Sequence, residues 1–174
     1  VAAQVPAQPP APHDHGAPTA QVGAVHLATS CAAAAQPGFD RGVAFLHSFW
    51  FSAAIETFNG VLKDDPGCVM ARWGIAMSWW SNPFAGFRSP QALAAGLAAI
   101  DAGRASGGGS DREKAYLAAV DQLFRDAGTR DQRTRIVAYE KAMEALVARF
   151  PEDVEARIFY ALALGQSALP TDKT

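Results

Sequence analysis

Two cysteines and four histidines are the side chains of this sequence with the most chemical potential. Cys31 and Cys68 stand far apart, without the CxxC spacing of a zinc or redox motif, and only His26 is near either in sequence. An even pair suits a disulfide in an exported protein, so a Cys31–Cys68 bridge is expected, with two buried free thiols as the alternative. Closing a loop of that length contributes on the order of 3–4 kcal/mol. His13 and His15 flank Asp14 and are weak candidates for a transition metal, but in a Pro/Ala tail such a pair is more often inert. His47 is the histidine placed within a helical pattern.

No catalytic constellation stands out. The sequence has no GxSxG elbow, no GxxxxGK[ST] loop and no HExxH pair. The run SGGGS at 106–110 lacks the lysine and the preceding strand of a phosphate loop. Asp64 and Asp65 follow Lys63 in what reads as a solvated turn. Arg125, Arg130, Arg133 and Arg135 are interleaved with Asp126 and Asp131, which favours a solvated helix face over a phosphate-binding patch. The expectation is a protein without enzymatic activity and without a cofactor.

Those side chains must be positioned by a chain of 174 residues, enough for one domain or a domain with a tail. Hydrophobic residues make up 49%, so a core can be buried. The net charge of −2 is spread evenly and offers no footprint for nucleic acid or an anionic membrane. No apolar run reaches the roughly 20 residues that span a bilayer. Residues 1–24, almost all Ala, Pro, Gln, Gly and Val, cannot bury enough surface to offset the entropy of ordering and are expected to be disordered. The small residues at the start, with no Met, suit a mature N-terminus left by signal-peptide removal, or a trimmed chain. A periplasmic or secreted location is the expectation.

From Cys31 the pattern is helical, with no sustained alternation of period two and no hairpin signal. Ser30 can cap a short helix over 31–36, which Pro37-Gly38 kinks or restarts. FDRGVAFLHSFWF and SAAIETFNGVLKDD follow, the second stopped by Pro66. Further helices are expected over 69–81, from Pro90 behind the cap Ser89, from a Ser110/Glu113 capping box, over 131–150 and over 154–168. That makes about seven principal helices with short connections.

The segments PGCVMARWGIAMSW and PEDVEARIFYALAL share Pro, Val, Ala-Arg and a later Ala at one spacing. A repeat is therefore present. Gly42, Phe45, Ala54, Phe58, Val61 and Pro66 fall at the offsets of a tetratricopeptide unit of about 34 residues: small residues let two helices approach while aromatics fill the gap. Ala71, Ile75, Ala76 and Trp79 open a second unit. Tyr139, Met143, Leu146 and Pro151 close a degenerate one, and Ala156, Tyr160, Ala161 and Leu164 open another. The expected fold is all-α, an antiparallel helix-hairpin array over 25–174 forming a right-handed, tetratricopeptide-like solenoid.

LHSFWFSAAIETF, DPGCVMARWGIAMSWWSNPF and the closing LPTDKT resemble bacterial, exported tetratricopeptide-repeat proteins. The resemblance covers about 25–174. It implies the repeat fold, export, and an N-terminal portion of a longer chain, because members of that family continue with further repeats and with His-rich segments absent here. The apolar face of the last helix points the same way: the expectation is a fragment, or a partner over that face.

In the repeat register His47 faces the concave groove, beside Phe39, Val43, Trp73, Met77 and Trp80. Such a groove could hold a peptide or an apolar ligand; alternatively these side chains simply pack against the next helix. The expected function is a scaffold binding a protein or peptide partner, or the remainder of a longer chain, through that groove. The competing expectation is a metal- or cofactor-associated exported protein using His47 or the tail histidines.

Overall fold

The computed structural model describes residues 21–169 and Thr171; the expected disordered segment and its histidines, His13 and His15, lie almost wholly or wholly outside them. The described residues are helical and contain no strand. Seven α-helices follow one 3-10 turn at Ala33–Ala35: α1 Gln36–His47, α2 Phe51–Asp64, α3 Val69–Trp80, α4 Pro90–Ala105, α5 Asp111–Phe124, α6 Gln132–Arg149 and α7 Val154–Ser167. No helix is long and apolar enough to cross a membrane.

Local chemistry explains most boundaries. Ser89 accepts a hydrogen bond from the Ala92 amide at the start of α4, where Pro90 occupies a position that needs no N–H. Ser110 and Glu113 complete the capping box of α5. Asp131 and Asp153 cap α6 and α7 through the Thr134 and Ala156 amides. The first helix differs from expectation. Instead of a helix over 31–36 capped by Ser30, residues 30–32 are non-helical, a 3-10 turn forms over Ala33–Ala35, and α1 starts at Gln36 with Pro37 in its first turn. Cys31 is bonded to Cys68, the Ala32 amide donates to Asp65, and Ser30 is held by Glu113, so residues 30–32 are drawn away from helical geometry.

Each helix packs on the next, and α3 also touches α1 and α5. α3 is therefore the hub, and its sequence suits that place: VMARWGIAMSWW is apolar nearly all round, as a helix enclosed on most sides must be. Phe58 of α2 sits between Gly42 of α1 and Gly74 of α3, and a Cβ at either glycine would overlap its ring. One aromatic side chain thereby spaces three helices. Trp73 then meets Tyr116 of α5 edge-on at 5.3 Å between ring centroids, and Phe159 of α7 at 5.0 Å. Trp80 meets Phe124 in the same way at 5.6 Å.

An extended strap over 21–32 crosses α1. Leu27 is buried, and Val22 and Val25 rest against the core. Asp40 accepts from the Leu27 amide and pairs with His26, while Gln36 bonds Thr29 and the Leu27 carbonyl. At its far end the strap reaches α5: Glu113 accepts from the Ser30 amide at 2.6 Å and from the Ser30 hydroxyl, and Arg112 donates to the Ala28 carbonyl. Burial of Glu113 opposes its charge. The hydrogen bonds from Ser30 and Ser110 outweigh that effect and hold its carboxyl below the ordinary range.

Candidate binding site

The C-terminal ends of α1 and α3 converge on α6 and α7, and an apolar cavity of about 230 Å³ opens between them. His47 ends α1 and Glu155 begins α7; the imidazole Nε2 lies 2.7 Å from the carboxylate. Glu155 lies in the first turn of α7, where the helix dipole favours an anion. The imidazole also stacks on Phe159 at 5.3 Å. His47 therefore joins α1 to α7 and forms one wall of the cavity. Met77, Trp80 and Tyr139 form the wall opposite, with the Tyr139 hydroxyl 3.9 Å from the Met77 sulfur. Burial pushes the Tyr139 phenol up, so it stays neutral.

The mouth of the cavity is built on costly backbone. Three non-glycine residues among the described ones have positive φ, and two of them, Phe49 and Ser81, line this cavity. Ser81 has φ 60° and ψ −150°, a region occupied almost solely by glycine. Such conformations cost about 1–3 kcal/mol each and persist where the surroundings over-determine them. At Phe49 the helix turns sharply into α2, leaving Phe49 and Trp50 exposed. After Ser81 the loop 82–88 is pinned by the Arg88 guanidinium, which donates to the Asn82, Ala85 and Gly86 carbonyls and lies over the Trp80 ring at 4.5 Å. That pinning presents Phe84 at 63% and Phe87 at 92% exposure.

The six expected groove residues divide into two sets. His47, Met77 and Trp80 come together around the cavity. Phe39, Val43 and Trp73 are buried in the core, against Phe58, Tyr116 and Phe159, and present no surface to a partner. Ile158, Phe159, Leu162 and Gln166 of α7 complete the lining, although nothing in the α7 sequence pairs it with α1.

Cys31 and Cys68 form a disulfide. With Asp65 they are the one group of three potential metal ligands among the described residues, and the bridge leaves neither sulfur as a thiolate. His47 has Glu155 beside it but no third ligand among those residues. The arginines do not form a patch. Arg125 pairs with Asp121 and Asp101, whereas Arg135 is buried and donates to the Leu123 and Arg130 carbonyls. His26 is committed to Asp40 at 2.8 Å.

No family model, curated protein or solved structure matches the chain.

Proposed function

We propose that this chain is a tetratricopeptide-like scaffold that holds a protein partner by seating one large apolar side chain in the α1–α3–α6–α7 cavity. One observation carries the reading: an open apolar cavity lined by the exposed Phe49 and Ile158, with two of its lining residues, Phe49 and Ser81, on strained backbone. Its volume of about 230 Å³ is below the ~300–1,000 Å³ of small-molecule sites, which favours a single anchor side chain over a whole cofactor. An anchor side chain in a desolvated pocket, enclosed by contacts that exclude water, is the anatomy of a binding hot spot. The solenoid reading draws support from Phe58, which sits between successive units as the repeat pattern requires. Export to an oxidising compartment fits the disulfide.

Small apolar probes test the cavity directly. Toluene and 3-methylindole should shift the methyl resonance of Met77 saturably. Met77→Trp should fill the space and abolish binding, read from the Tyr139 ring signals. Probes that fail to bind, or that bind equally well to Met77→Trp, would overturn the reading.

A further inference from the structure

The α7 helix has a second face. Val154 is 57%, Ile158 38% and Leu164 44% exposed, and Arg157, Ala161, Gly165 and Ala168 are exposed with them. These positions recur every three or four residues and so form one stripe along a 14-residue helix, roughly 21 Å long. Arg157 is the single charge on it, and no ion pair among the described residues involves it.

The chain has already made this interface once. By the internal repeat, Val154, Arg157, Ile158, Ala161 and Gly165 correspond to Val69, Arg72, Trp73, Ala76 and Trp80 of α3. The four apolar α3 residues are buried: Trp73 lies on Tyr116 and Trp80 on Phe124, both of α5, Val69 packs beside Gly109, and Arg72 carries its Cβ against Gly103 of α4. The α7 stripe continues that series of interfaces but has no cover of its own among the described residues. One edge of the stripe, Ile158, belongs to the cavity, and Gly165 lies beneath the edge of Phe84.

We infer that the stripe receives an amphipathic α-helix of a partner protein. That helix lies along α7 with an apolar face at i, i+3, i+4 and i+7, places a carboxylate opposite Arg157, and sends one bulky side chain past Ile158 into the cavity. A helix is chosen over an extended segment because α3 meets helices with the same positions. The carboxylate follows from the unpaired guanidinium. The inference rests on the cavity being an anchor site, and adds the secondary structure and charge of what binds.

Selection from displayed 16-residue peptides on the immobilised whole chain tests it, using one library of helix-stabilised sequences and one of proline-rich extended sequences. The expected result is enrichment of helical sequences with an acidic residue at a fixed offset from the apolar face. Leu164→Glu should weaken the selected peptide roughly tenfold or more, and Arg157→Glu should select basic residues at that offset. Enrichment of extended sequences, insensitivity to Leu164→Glu, or no enrichment at all overturns the inference. Light scattering adds a separate outcome: a dimer of the unmodified chain that Leu164→Glu dissociates would show that a second copy covers the stripe, and would also overturn it. Because probe binding at Met77 does not involve Leu164, the cavity reading and the helix inference fail separately.

Discussion

α3 and α7 are written with the same code and placed in opposite circumstances. Both start with Val, carry Ala-Arg one turn in, and set a small Ala one turn later. Around α3 every such position is buried or half-buried; along α7 three of the four, Val154, Arg157 and Ala161, are bare. Their entrances differ too. Asp153 caps α7 through the Ala156 amide and pairs with Arg112 at 3.0 Å, whereas Cys68 caps nothing with its side chain and is covalently tied to the strap. The hub helix is fastened by a bond and by packing. The last helix is held by polar contacts, by Phe159 and by its packing on α6.

The sharpest test of that contrast exchanges nothing and truncates both sides. Trp73→Ala should cost about 3–5 kcal/mol, because it empties a site enclosed by Tyr116 and Phe159. Ile158→Ala, at the equivalent position of α7, should change stability by less than ~0.5 kcal/mol. Denaturant unfolding measures both, and similar values would remove the distinction between the two helices. Next comes the pair of entrances. Replacing Cys31 and Cys68 together by Ala should cost on the order of 3–4 kcal/mol, and Asp153→Ala about 1 kcal/mol. Equal effects would show that the strap, once unlinked, keeps its place by hydrogen bonds alone.

The smallest expected effect is confined to acid. The Glu113 carboxyl is held below its ordinary range, so its share of stability is complete above the unfolded pKa of about 4.3 and is lost as the pH falls through the lower folded value. Hydrogen exchange at the Ser30 amide should accelerate, relative to its intrinsic rate, as the pH is lowered through that window. In Glu113→Gln the acceleration should vanish; an acid response that survives the substitution would assign it to another carboxylate.

Much of the architecture was legible because helix punctuation is local. Pro66, Ser89-Pro90, the Ser110/Glu113 box and Pro151 each mark a boundary that the structure keeps within a residue or two. The all-helical fold follows from that punctuation, and the bridge from Cys31 to Cys68 was open to sequence reasoning through the even cysteine count. What escaped is non-local. Glu113 looks like an ordinary capping residue, yet it also receives Ser30, and Glu155 looks like a first-turn carboxylate, yet it meets His47. The groove was half legible for a related reason. A helix pattern says which residues share a face, but only the neighbouring helices decide that Trp73 is enclosed while Met77 remains at a cavity. An aromatic stripe reads alike in both cases.

The strap has a consequence for the order of assembly. Neighbouring helices in this chain meet after short connections, whereas Ser30 and Glu113 are 83 positions apart and His47 and Glu155 are 108 apart. Contacts between near neighbours in sequence form early, and those closing long loops wait until the intervening chain is in place. The strap and the His47 junction are therefore latches, set after the helices stack. Once the bridge is made, the first latch can no longer open freely, and the N-terminal edge of the stack is withdrawn from exchange while the α7 edge stays available.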